Sequence, residues 1–88
     1  MTTAYFDVIQ MIKVVVDESK FTEEFMEEFQ RNFYPFYTIE DHMKHLAQLY
    51  SRGIVDEFSE FIEGYGNPKD FGIDFNNHYV EVVEVDGP

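Results

Sequence analysis

His42 and His45 stand three residues apart beside Glu40 and Asp41. On a helix that spacing can turn two imidazoles toward one metal ion. A third ligand at useful spacing is missing, so the pair reads as two half-exposed positions beside the apolar Met43 and Leu46. Asp70-Phe71-Gly72 matches the tripeptide that holds magnesium in protein kinases. A chain of 88 residues has no room for the glycine-rich loop, lysine strand and catalytic loop that give the tripeptide its meaning. Carboxylates abound, but two of them act as acid and base only in a pocket that drives their pKa values apart. A chain this short buries only about 60% of its unfolded surface and seldom encloses such a pocket. Ser19, Ser51 and Ser59 lack the context of a nucleophile elbow, cysteine is absent, and no EF-hand calcium loop occurs. Catalysis is therefore not expected, and neither a cofactor nor a metal is implied.

The charge balance is the most unusual feature. Six Lys and Arg stand against eighteen Asp and Glu, a formal net charge of −12. Solubility needs a magnitude of only about 2–8, and the excess costs self-repulsion. Such charge often marks disorder. Ten Phe, six Tyr and a clear apolar periodicity argue instead for a single folded domain over residues 1–88 with an aromatic core. Nucleic acids and anionic membranes repel this chain, so direct contact with either is not expected, and the partner implied is a basic surface. No basic region precedes the first apolar stretch, and no apolar run nears the ~20 residues of a membrane span. With cysteine absent, a cytoplasmic placement is expected.

The elements that would position these charges are mostly helical. Thr2 or Thr3 can cap a first helix to about Val16, with Tyr5, Val8, Ile9, Ile12, Val15 and Val16 near helical spacing. The β-branched Val14-Val15-Val16 end would equally suit a strand. Thr22 caps a second helix to about Asn32 that buries Phe25, Met26, Phe29 and Phe33, and Pro35 ends it. Thr38-Ile-Glu-Asp41 is a capping-box variant opening a third helix, about Ile39 to Arg52, with Gly53 after its cap. A fourth, about Val55 to Gly64, would bury Phe58, Phe61, Ile62 and Tyr65. Asn67-Pro68 starts a short helix to about Phe75, and His78–Val85 has strand composition with imperfect alternation. The expected class is mainly α with a small β element (α+β): four to five short helices and a C-terminal strand. That strand needs a partner, either Met11–Val16 or a second copy of the chain.

Glu23, Glu24, Glu27 and Glu28 lie on successive turns of the second helix, opposite Phe25 and Phe29. Like charges at i, i+4 destabilise a helix by ~0.2–0.5 kcal/mol per pair, so stability alone would not choose them. On the fourth helix Asp56, Glu60 and Glu63 form a stripe with Glu57 beside it. Carboxylates on consecutive turns stand about 6 Å apart, close to the interval between phosphates along a DNA strand. A groove that gains affinity by displacing counterions from phosphates gains likewise from such carboxylates. The expected contact residues are these two faces, flanked by Asp17, Glu18, Glu40 and Asp41. The competing reading is an acidic adaptor that uses Tyr34, Phe36, Tyr37, Tyr65 and Tyr79, which cannot all fit in so small a core, as anchors.

From Tyr37 onward the chain resembles one module of the ArdA-type antirestriction proteins. The likeness lies in Tyr37-Thr-Ile-Glu-Asp41, Leu46-Ala47, the acidic-aromatic Asp56-Glu-Phe-Ser-Glu-Phe-Ile-Glu-Gly64-Tyr-Gly66, Phe71 and the Tyr79–Val85 segment. The resemblance implies a DNA mimic from a phage or mobile element. Its implied partner is the basic DNA-binding groove of a host defence enzyme, a type I restriction–modification nuclease or a Cas effector, in the cytoplasm of the host bacterium. The chain spans only about one and a half modules of a family that strings several. A long DNA imitation would then require a homodimer, or the target groove would be short.

Overall fold

The structure, a computed structural model, describes residues 1–85. Strand β1 (Tyr5–Val15) leads through a 3₁₀ turn (Glu18–Lys20) to helices α1 (Glu23–Asn32) and α2 (Ile39–Ser51). An irregular segment and a second 3₁₀ turn (Pro68–Phe71) follow, and strand β2 (Asp74–Val85) returns antiparallel to β1. The fold is α+β, with two α-helices among the described residues where four to five were expected.

The largest correction concerns the first element. Tyr5–Val15 is a strand, because five of its residues (Val8, Ile9, Ile12, Val14 and Val15) are β-branched and β2 supplies a partner of matching length. The ladder runs from Tyr5 opposite Val85 to Val15 opposite Asp74. Its register shifts between Met11, opposite Tyr79, and Ile12, opposite Asn77, which leaves His78 as the extra residue of a bulge. The C-terminal strand thus pairs within the chain, and it begins earlier than expected. The preceding turn stops at Phe71 because Gly72 takes a left-handed φ of 61°, which releases the backbone into β2.

The helix starts follow local capping chemistry. The Thr22 hydroxyl accepts from the Phe25 N–H at 3.1 Å, and the Thr38 hydroxyl accepts from the Asp41 N–H at 3.2 Å. Asp41 completes a capping box by accepting from the Tyr37 and Thr38 N–H groups.

The expected fourth helix, Val55–Gly64, does not form. Asp56 and Ser59 divert the backbone: the Phe58 N–H donates to the Asp56 carboxylate at 2.8 Å and the Asp56 N–H to Ser59 Oγ at 2.9 Å. A tight turn then joins Ile62 to Gly66, each N–H donating to the other's carbonyl. The turn buries Ile62 and Tyr65 as expected but leaves Phe58 and Phe61 exposed, at 85% and 70%.

Phe29, Leu46, Val55, Ile62, Tyr65, Ile73 and Phe75 form the core, with Val14, Phe21, Phe25 and Phe36 packed around it. Phe33, expected inside, is partly exposed. The ribbon's base joins the core through Val14 and Phe75, and its tip projects. The molecule measures 54 × 24 × 20 Å and its radius of gyration is 16.3 Å, against roughly 12 Å for a compact chain of this length.

Gly64 sits at φ 90°, and a Cβ there would lie 2.5 Å from the Phe29 ring. Gly64→Ala therefore combines a disfavoured backbone with overpacking of the core. It is expected to cost about 2–4 kcal/mol, read as a lower midpoint in urea at unchanged slope.

Candidate partner-binding surface

Helix α1 holds its acidic face as the sequence implies. Phe29 and, in part, Phe25 and Met26 turn inward, while Glu23, Glu24, Glu27 and Glu28 are all exposed. Glu23 and Glu24 occupy the first turn, where the helix dipole favours their charge. The 3.6-residue repeat then fixes two carboxylate pairs one turn apart.

The second acidic face is corrected. Asp56, Glu57, Glu60 and Glu63 are exposed, but on an irregular segment, so they form no helical stripe at fixed pitch. Asp56 is engaged in its turn, and Glu57 accepts from the Tyr50 hydroxyl at 3.4 Å. Among the flanks, Asp17 accepts from the Ser19 N–H and hydroxyl, and those bonds hold its carboxyl below the usual range. Bonds from Tyr37 and Thr38 do the same for Asp41. These two carboxylates are engaged in shaping turns and caps. Glu18 and Glu40 are exposed, and no side-chain hydrogen bond joins them to the protein among the described residues.

The same irregular segment adds what sequence reasoning missed. Phe61 and Ile54 stand exposed and, with Phe33, Tyr34, His45 and Leu49, line an apolar groove of about 230 Å³ edged by Glu63. Of the aromatics expected as anchors, Tyr34, Tyr37 and Tyr79 are exposed, Phe36 is half-buried and Tyr65 is in the core. The signal was present: Gly64 and Gly66 close to Phe61 argue against a helix that would bury it.

His42 is also corrected, from half-exposed to fully buried. Phe21, Phe25, Phe29, Phe36 and Tyr65 surround it, with ring centroids 4.6–5.9 Å away. Its Nδ1 lies 2.7 Å from the Tyr65 hydroxyl. Burial pushes that phenol well above its ordinary range, so it stays protonated. Nε2 has no hydrogen-bond partner among the described residues, and with the phenol as donor to Nδ1 it is Nε2 that carries the imidazole proton. Burial, with His45 adding and Asp41 opposing, lowers the His42 pKa to about 4. His45 is half-buried against Tyr34 and Phe36. Among the described residues no three His, Cys, Asp or Glu gather around one point as metal ligands would, and no helix is long and apolar enough to cross a membrane.

Comparison with protein-family models, with curated proteins and with solved structures gives no match.

Proposed function

We propose that this protein inhibits a host DNA-targeting defence enzyme, a type I restriction–modification nuclease or a Cas effector, by occupying its basic DNA-binding groove. The observation that carries the reading is the surface charge. Every described acidic residue except the capping Asp41 is exposed, in a chain of net charge −12. On α1 four carboxylates stand at a regular pitch that resembles phosphate spacing, opposite the face that folds the domain. The protein would act by steric and electrostatic competition, with no chemistry of its own, in the bacterial cytoplasm.

The test is displacement of labelled DNA from a panel of such enzymes at two salt concentrations. Displacement from one member, relieved as salt rises, is the expected outcome. Replacing Glu23, Glu24, Glu27 and Glu28 together by Gln should weaken inhibition by roughly tenfold or more, with the fold intact. A quadruple variant that inhibits as well as the original would remove α1 from the interface.

One observation favours a second reading. Phe58, Phe61, Ile54 and Tyr37 are exposed beside acidic residues, the composition of an aromatic-anchored protein interface. An adaptor of that kind would bind its partner with little dependence on salt. Phe58→Ala with Phe61→Ala would abolish that binding, while the α1 variant would not.

A further inference from the structure

Two strands alone are marginal in water, since a ribbon needs a third strand or a packed face to stand independently. Here the base of the ribbon has that support and the tip does not. Tyr5, Phe6, Val8, Ile9 and Met11 on β1 and Tyr79, Val80 and Val82 on β2 are all exposed. Among the described residues the sheet has only these two strands, so the outer edge of each is unpaired there.

The two edges differ in charge. Strand β2 carries Asp74, Glu81 and Glu84 with no Lys or Arg. Strand β1 carries one acid, Asp7, and one base, Lys13, placed symmetrically about Gln10, the midpoint of Tyr5–Val15. Antiparallel pairing of β1 with a second β1 about a twofold at Gln10 sets Asp7 opposite Lys13 twice. The same register sets Tyr5 opposite Val15, Phe6 opposite Val14, Val8 opposite Ile12 and Ile9 opposite Met11. Every apolar residue meets an apolar one, the charges meet each other, and Gln10 meets itself. Shifting by two residues in either direction sets Asp7 and Lys13 against apolar side chains and leaves an overhang.

We infer that the β1 edge is a self-association site: two copies join β1 to β1 antiparallel about Gln10, forming a four-stranded sheet ordered β2-β1-β1-β2. Helix α2 packs on the Ile12 and Val14 face of β1, and Tyr5–Met11 are exposed. At the base Ile12 and Val14 are half-buried while Lys13 and Val15 remain exposed. Net charge does not forbid the pairing. Where α2 lies alongside the middle of β1 it presents Lys44, Ala47, Gln48 and Ser51, none of them acidic. The inference stands on the ribbon alone and does not rest on the inhibitor reading.

Sedimentation equilibrium of the full chain is expected to show a dimer. Asp7→Lys or Lys13→Asp alone sets like charges opposite each other twice and should weaken the dimer by roughly tenfold or more, and the double exchange should restore it. Gln10→Cys, the sole thiol in the chain, should cross-link rapidly under mild oxidation, because paired Cα atoms 4.5–5.5 Å apart suit a disulfide. Val8→Cys should not, since Val8 faces Ile12. Far-UV circular dichroism confirms that each variant is folded, and none of these positions lies in the core. A monomer at millimolar concentration would overturn the inference. So would a double exchange that fails to restore association, or equal cross-linking at positions 8 and 10.

Discussion

Phe29→Ala is expected to unfold a large share of the molecules at 25 °C. The ring is 2% exposed and lies 4.6–6.5 Å, centroid to centroid, from Phe25, Phe33, Tyr34, Phe36, His42 and Tyr65. It also covers the backbone at Gly64. Removing it leaves a cavity that cannot collapse, because the neighbours are rigid rings held by two helices and a tight turn. Phe→Ala changes of this kind cost about 3–5 kcal/mol, against a total stability of roughly 4–13 kcal/mol for a chain of this length. A melting temperature lower by roughly 15–30 °C is the expected reading. Phe58→Ala removes an equally large ring that is exposed and should change stability by about 0.5 kcal/mol or less. Equal effects at the two positions would mean that the core is not centred on Phe29.

Acid should destabilise the protein through His42. The buried imidazole takes up its proton only near pH 4 in the folded chain, against 6.5 for an ordinary histidine. Between those values the unfolded state binds more protons than the folded one, so stability rises with pH. The contribution is complete above pH 6.5, declines as pH falls, and is spent by about pH 4, a loss of roughly 3 kcal/mol. Protonation would also place a charge among five aromatic rings and make both ring nitrogens donors, with the Tyr65 hydroxyl the one acceptor beside them among the described residues. Two opposing effects need separating. Asp17 and Asp41, whose pKa values are lowered, lose their contributions only below the ordinary carboxylate range, and relief of the net negative charge favours the fold as acid is added. Comparison with His42→Gln, which keeps an acceptor for Tyr65 but does not titrate, isolates the imidazole. The stability difference between the two chains should move by roughly 3 kcal/mol from pH 6.5 to 4. A difference that stays flat would show that His42 is already solvated in the folded state.

What could be read from the sequence was what neighbouring residues decide among themselves. Helices α1 and α2 start at Thr22 and Thr38 because a hydroxyl reaches an N–H three residues on, and distant partners cannot change that. Strand β1 defeats the same approach. Tyr5, Val8, Ile9, Ile12, Val15 and Val16 satisfy helical spacing, and only a partner near the other end of the chain resolves the ambiguity. The Val55–Gly64 segment has the apolar spacing of a helix but the turn chemistry of Asp56, Ser59 and Gly64, and the turn chemistry won. That outcome removed one of the two expected acidic stripes and exposed two phenylalanines. The burial of His42 was legible, since it falls with Ile39 and Leu46 at i, i+3 and i+7 on the inward face of α2. Its polarity hid it, because a buried imidazole needs Tyr65, 23 residues away, to be tolerable.

The ribbon's connectivity has a consequence for how the chain reaches its native state. Partners on β1 and β2 are 59 to 80 residues apart in sequence, whereas each helix is complete within thirteen residues. Closing so long a loop is slow, and its entropy is lost before the ladder returns any of it. During synthesis β1 emerges well before β2 and must wait, apolar and unpaired, while the helices and their aromatic cluster condense. The ribbon tip should therefore form last and open first. In the monomer, amide hydrogens of Tyr5–Met11 would exchange far ahead of those in α2, and a proteolytic cut in β2 would free β1 while the helices held together.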